Sequence, residues 1–117
     1  SDHSIVQINS SPILIKNTTT KKFDFLPVPV QDRKGNYLYF RAKNMSDAEH
    51  KVIIRYGSGG TMNGGVVVRI PGSDKQNEFI VRISKQDKWF RADNDWITMY
   101  PEGGDLEVSL IQISYSD

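Results

Sequence analysis

The fold is decided by residues 37–56, Tyr-Leu-Tyr-Phe-Arg-Ala-Lys-Asn-Met-Ser-Asp-Ala-Glu-His-Lys-Val-Ile-Ile-Arg-Tyr. The first seven of these residues alternate, with Leu38, Phe40 and Ala42 on one side of the chain. Residues 51–56 alternate in the same way, and a polar loop separates the two runs. Period-two alternation is typical of strands with one buried face. The stretch therefore predicts two half-buried β-strands.

Short β-branched or alternating runs continue on both sides of this stretch, and turn-forming residues separate them. They are residues 5–8, 13–16, 66–70, 78–84, 96–100 and 106–114. No window has a sustained helical period. The pattern predicts an all-β chain that folds as an antiparallel β-sandwich, jelly-roll-like, with eight to ten short strands. A small closed barrel is the alternative.

Two segments between these runs differ from ordinary strands. Residues 23–30 carry Pro27 and Pro29, which cannot donate to a β-ladder, so they are predicted as an edge strand or an extended crossing. Residues 57–65 contain five glycines, and we predict a flexible loop there.

Length and composition limit the classes of function. The 117 residues fit one domain with a core of its own, and we expect residues 1–117 to be a single domain taken from a larger multidomain protein. The absence of cysteine excludes disulfides and a thiol nucleophile. The net charge of +1 and the lack of an apolar run near the roughly 20 residues of a membrane span favour neither nucleic acid nor a membrane as partner.

Residues 79–100 contain both tryptophans of the chain. Indole beside hydrogen-bonding groups is suited to sugars, because the apolar face of a pyranose stacks on the ring while its hydroxyls need donors and acceptors. Trp89 follows the polar residues 85–88, so we expect it to be at least partly exposed and to be the better ligand candidate. Trp96 begins an alternating run and fits a core position as well as a binding one.

Four arginines, Arg41, Arg55, Arg69 and Arg82, lie inside predicted strands at intervals of 14, 14 and 13 residues. If their strands shared a sheet, the arginines would line one face and offer forked donors to carboxylates, sulfates or sugar hydroxyls. We favour the simpler interpretation that each occupies a solvent-facing alternate position and pairs with an acidic residue.

Metal binding and catalysis receive less support. Asp93, Asn94 and Asp95 resemble the opening of a calcium loop, and Glu102 and Asp105 could add oxygens, but the twelve-residue spacing is absent. Turn formation is the preferred role of this trio, so we expect no cofactor, with a structural calcium ion as the alternative. The only histidines are His3 and His50, no catalytic triad can be assembled, and we expect a protein that is not an enzyme.

The chain resembles the β-sandwich carbohydrate-binding modules attached to bacterial enzymes that degrade or assemble glycans. The resemblance rests on size, the all-β pattern, and residues 81–97, Val-Arg-Ile-Ser-Lys-Gln-Asp-Lys-Trp-Phe-Arg-Ala-Asp-Asn-Asp-Trp-Ile, followed by the final strand Asp-Leu-Glu-Val-Ser-Leu-Ile-Gln-Ile at 105–113. It implies a non-catalytic module that holds a catalytic domain of the same polypeptide near an oligosaccharide or polysaccharide.

The same resemblance implies a set of ligand contacts. Trp89 is expected to be the stacking platform and Trp96 or Tyr100 a second wall, while the groups that bind sugar hydroxyls are expected to be Arg91, Asp93, Asn94 and Arg82. If the partner enzyme degrades glycans, an extracellular or cell-surface location is favoured. The alternative function is a protein-interaction or oligomerisation sandwich, which would expose an apolar patch or an unpaired edge strand.

Overall fold

The computed structural model describes residues 4–26, 37–73, 75–83, 89 and 94–114. These residues form nine β-strands and no α-helix, and so they contain no helix that could cross a membrane. The strands are β1 (Ser4–Asn9), β2 (Ile13–Ile15), β3 (Lys21–Asp24), β4 (Tyr37–Asn44), β5 (His50–Ser58), β6 (Thr61–Ile70), β7 (Asn77–Val81), β8 (Trp96–Glu102) and β9 (Leu106–Ser114).

The strands form two antiparallel sheets that pack face to face. Sheet A has the order β1-β9-β4-β7, with β2 also paired to β9, and sheet B has the order β3-β8-β5-β6. The pairs are nested: β5 with β6, β4 with β7, β3 with β8, and β1 and β2 with β9. This nesting is the connectivity of a jelly roll. The predicted antiparallel, jelly-roll-like sandwich is confirmed.

The core lies between the sheets and follows the alternation of the sequence. In β4 and β5 every second residue is buried, including Leu38 and Phe40 from sheet A and Val52 and Ile54 from sheet B, none of which exposes any surface. The inner residues of β8 and β9 complete the same layer. Because the period is two, the intervening residues of each strand point to solvent.

The glycine-rich segment differs from the prediction. Residues 57–65 are not a flexible loop, because β5 runs to Ser58, a two-residue turn follows at 59–60, and β6 begins at Thr61. The glycines serve close packing within the hairpin. A side chain at Gly57 would collide with the Trp96 ring, and one at Gly64 would collide with the Tyr56 ring and hydroxyl. Here glycine indicates a large neighbouring side chain, not mobility.

Residues 23–30 were predicted as an edge strand or an extended crossing. Phe23 and Asp24 belong to β3, which is an edge strand of sheet B. Its inner residue Phe23 packs into the core beside Ile97 of β8. Residues 27–36, with both prolines, lie outside the described part of the chain.

A buried asparagine ties the two sheets together at one end of the sandwich. The Asn44 side chain, at the end of β4, donates through Nδ2 to the carbonyl oxygens of Ala48, Ile70 and Pro71 at 2.9, 3.2 and 3.1 Å. Its Oδ1 accepts from the backbone N–H and the hydroxyl of Ser46, both at 2.8 Å. One amide therefore links sheet A to the last residue of β6 in sheet B.

Replacing Asn44 with alanine should lower the free energy of unfolding by about 2–3 kcal/mol, because the buried Ile70 carbonyl and the partly buried Pro71 carbonyl lose the hydrogen bonds that the amide donates. Chemical denaturation followed by circular dichroism would measure the change. The matched control is Asn9→Ala, which removes one exposed bond to the Ser11 carbonyl and should cost less than about 1 kcal/mol. Equal effects of the two substitutions would contradict the role of the Asn44 side chain in linking the two sheets.

Candidate functional site

The expected ligand platform, Trp89, is buried. Only 2% of the residue is exposed, and its ring packs edge-on against Tyr56, with 5.2 Å between ring centroids, and tilted against Phe25 at 6.4 Å. Burial also raises the pKa of the Tyr56 phenol above its ordinary value, so the phenol stays neutral in this cluster. The prediction of an exposed Trp89 was wrong, because an indole outside the regular strands can still cap the core.

Asn94, another predicted ligand contact, is also buried and has a structural role. Its Nδ2 donates to the Trp89 carbonyl oxygen at 2.8 Å, and its Oδ1 accepts from Nδ2 of Asn63 at 2.8 Å. The neighbouring Asp95 donates its backbone N–H to the Gly57 carbonyl oxygen. These bonds fix the position of Trp89 and leave Asn94 only 4% exposed, and its role as a group that binds sugar hydroxyls stays a prediction.

Trp96 and Tyr100, the remaining aromatic candidates, lie on the outer face of sheet B. They belong to β8, where Ile97 and Met99 point inward and the residues between them point outward. Both aromatic side chains are partly exposed. Four residues apart on one strand, they are separated by roughly 13 Å, with Thr98 between them. Trp96 and Tyr100, the two alternatives predicted for a second wall of the site, therefore lie on the same surface.

Trp96 is held in a fixed position. Its indole Nε1 donates to the Gly59 carbonyl oxygen at 2.8 Å, and its ring packs on the backbone of Gly57, the residue opposite it on β5. The Lys22 ammonium lies 5.5 Å from the ring centroid, within the range of a cation–π interaction. An indole fixed in this way can receive a ligand without losing further rotational freedom.

The outer face of sheet B brings together residues from three strands around Thr98. In the register of the sheet, Lys22 of β3 and Arg55 of β5 lie opposite Thr98 on its two sides. We call the five residues Lys22, Arg55, Trp96, Thr98 and Tyr100 the Thr98 face. It combines two aromatic rings, a hydroxyl and two cationic groups on one open surface, which is chemistry suited to a polar ligand with apolar faces.

The other predicted residues do not join this face. Arg82 directly follows β7, an edge strand of sheet A, and therefore lies beside the opposite sheet. Arg91 and Asp93 lie outside the described residues, so their predicted roles stay predictions. The structure thus brings Trp96 and Tyr100 together, and separates them from Trp89, Asn94 and Arg82.

The four strand arginines are divided between the sheets. Arg41 lies in sheet A, Arg82 follows β7 of the same sheet, and Arg55 and Arg69 lie in sheet B. Arg41 approaches Glu78 at 3.6 Å and donates to the Tyr39 hydroxyl at 3.4 Å, and this hydrogen bond raises the pKa of its guanidinium. Arg69 pairs with Glu49 at 3.4 Å. The arginines therefore do not form a single row, as the favoured interpretation predicted, but among the described residues only Arg41 and Arg69 pair with an acidic side chain.

The acidic residues considered for the calcium alternative have separate partners where the structure describes them. Glu102 pairs with the Lys51 ammonium at 3.0 Å, while the Asp105 carboxylate accepts from the Asn17 backbone N–H at 2.7 Å. Asp95 Oδ1 accepts from the Gly59 N–H at 3.2 Å. Across the described ranges, no three histidine or acidic side chains are grouped to hold a metal ion.

A second surface feature lies at the far end of β8 from Trp96. It is an open groove of about 500 Å³ beside the Asn44 side chain, lined in part by Lys43, Met45 and Ser73. The Asn44 amide in its wall is fully used in internal hydrogen bonds. The groove therefore offers a ligand fewer fixed groups than the Thr98 face does.

Comparison of the chain with protein-family models and with curated protein sequences found no match.

The two tryptophans should respond differently to truncation. Trp89→Ala is expected to lower the free energy of unfolding by about 3–5 kcal/mol, because it removes a large buried ring from the core. Trp96→Ala should cost less than about 2 kcal/mol, since this ring is partly exposed. Chemical denaturation monitored by far-ultraviolet circular dichroism avoids the loss of tryptophan fluorescence in the variants. A larger loss for Trp96→Ala would reverse the assignment of core and surface roles.

Proposed function

We propose that this protein is a non-catalytic carbohydrate-binding module whose Thr98 face binds an oligosaccharide or polysaccharide. The observation that carries the proposal is the placement of Trp96 and Tyr100 on one strand of an open sheet face, with a hydroxyl and two cations between and beside them. Aromatic rings stack on the apolar faces of sugar rings, and the polar groups satisfy the hydroxyls.

The spacing of the two aromatic rings favours an extended ligand. Roughly 13 Å along β8 separates Trp96 from Tyr100, so one chain of several sugar units is needed to contact both rings. Because Trp96 is held by Gly57 and Gly59, little side-chain entropy is lost on binding. The face is open to water, however, and the affinity is expected to be on the order of micromolar to millimolar.

A module of this affinity acts through its attachment to another domain. Binding a polymer by one domain raises the local concentration of a tethered catalytic domain at its substrate, without any new contact between enzyme and substrate. An open sheet face is suited to this holding role, since water is not excluded from it as catalysis commonly requires. The proposed partner is therefore a catalytic domain of the same polypeptide.

Glycan-array screening followed by calorimetric titration tests the proposal. In folded protein, Trp96→Ala should weaken binding by about 30-fold, which corresponds to the roughly 2 kcal/mol of an aromatic hot spot, and Tyr100→Ala should weaken it for the longer ligands. The matched control is Tyr39→Ala, which truncates an aromatic ring on the outer face of sheet A and should leave binding unchanged. Full binding by Trp96→Ala would rule out this face.

A second candidate function, self-association through an edge strand, has its own observation. β6 is an edge of sheet B, ten residues long, and carries Arg69 as its one charged residue. Val67 on this strand is 59% exposed. By comparison, the edge strand β3 has four residues with two lysines, and β7 has five residues with Glu78. A long edge strand with little charge and exposed apolar side chains favours pairing with another strand.

Sedimentation velocity over a range of protein concentrations tests this second function. If β6 pairs with β6 of another copy, the sedimentation coefficient should rise with concentration, and Val67→Lys should abolish the rise because a charged edge opposes strand pairing. The control is Ile80→Lys on β7, a position that is 52% exposed, which should leave association unchanged. A monomer at all concentrations would exclude the edge as a self-association site.

A further inference from the structure

We infer that the ligand of the Thr98 face is an anionic glycan, whose carboxylate or sulfate group lies over Thr98 between Arg55 and Lys22. This inference deepens the proposed function and rests on it. It follows from two observations on sheet B: the pairing of its cations, and the register that places two of them around one hydroxyl.

The cations of the outer face differ in how their charge is balanced. Lys51 lies 3.0 Å from Glu102, and Arg69 lies 3.4 Å from Glu49. Arg55 is exposed, and no acidic side chain among the described residues comes within ion-pair distance of it. Its stem passes beside Gly65, the residue opposite it on β6, which has no side chain to cover it. Among the described residues, the centre of the face therefore carries one positive charge without an acidic partner.

Lys22 supplies a second positive charge that is free to rearrange. Its ammonium lies 3.6 Å from Asp24, and 53% and 77% of the two side chains are exposed. An ion pair between such exposed groups contributes little, about 0–1 kcal/mol. A ligand anion can therefore draw the ammonium away from Asp24 and from the Trp96 ring at small cost.

The register of the sheet puts these groups within reach of one anion. Residues directly opposite on antiparallel strands have Cβ atoms about 4.5–5.5 Å apart, and diagonal neighbours about 7–8 Å apart. Arg55 is directly opposite Thr98 and diagonal to both Trp96 and Tyr100, while Lys22 is directly opposite Thr98 from the other side. An acid group above Thr98 thus meets both cations while its sugar ring contacts an aromatic neighbour.

The chemistry of these groups selects an anion over a neutral sugar. A guanidinium offers a planar fork of donors that matches a carboxylate or sulfate, and an ammonium adds a point charge with three donors. The Thr98 hydroxyl, which has no hydrogen-bond partner within the described ranges, adds a further donor. Neutral hydroxyls can use the same groups, but they gain only the weaker uncharged hydrogen bonds.

Calorimetric titration with matched ligands tests the inference. The probes are a uronic-acid oligosaccharide, the same oligosaccharide after reduction of its carboxyl groups, and a sulfated form of that neutral product. The wild-type protein should bind at least one of the two charged probes about 10- to 100-fold more tightly than the neutral one, as loss of a charge-assisted hydrogen bond predicts. Which charged probe binds more tightly distinguishes a carboxylate from a sulfate.

Two variants with the same change in net charge distinguish anion binding by Arg55 from a general effect of the protein's charge. Arg55→Gln should abolish the preference for the charged probe, whereas Arg69→Gln, on the same sheet but paired with Glu49, should retain it. Equal losses in both variants, or equal binding of neutral and charged probes by the wild type, would overturn the inference and leave the proposed glycan binding intact. If the wild type binds none of these probes and no glycan on the array, both the inference and the proposed function are wrong.

Discussion

The register between β5 and β8, the two central strands of sheet B, is the constraint on which both the core and the candidate site depend. On the inner side it aligns Ile54 with Met99 and Tyr56 with Ile97, and all four side chains are buried. On the outer side the same pairing aligns Arg55 with Thr98. A slip of one residue would expose the apolar set and bury the charged one. The hydrophobic core therefore fixes the geometry of the Thr98 face.

The sequence was informative where side-chain periodicity alone decides the structure. Alternation in β4 and β5 predicted which of their residues are buried, and it placed Arg41 and Arg55 at the surface. It failed at Trp89. The periodic pattern ends before this residue, and the polar residues 85–88 that precede it in the sequence suggested that its ring is exposed. Burial of Trp89 depends on Tyr56 and Phe25, which are distant in sequence. Local patterns contain no information about such contacts.

The glycines of residues 57–65 are a related case. Composition alone suggested flexibility, yet Gly57 and Gly64 are required because large aromatic side chains occupy the space a Cβ would need. Gly57 on β5 supports the partly exposed ring of Trp96, and Gly64 on β6 accommodates the buried ring of Tyr56.

The candidate site could be predicted only in part. The sequence indicated Trp96 and Tyr100, but Arg55 and Lys22 join them through strand pairs whose members are about 40 to 75 residues apart in sequence. No spacing rule identifies such pairs without the topology.

The two candidate functions use different parts of sheet B, and this separation makes them compatible. Antiparallel pairing of two β6 edges relates the copies by a two-fold axis perpendicular to the sheet, so both outer faces point to the same side. Such pairing leaves Trp96 and Arg55 uncovered, because they lie on β8 and β5 and not at the edge. Two Thr98 faces side by side would bind a repeating polymer with greater avidity than one. Under the proposed function, weak binding at a single open face would then be no obstacle to retention on a polysaccharide, provided that the edge brings two copies together.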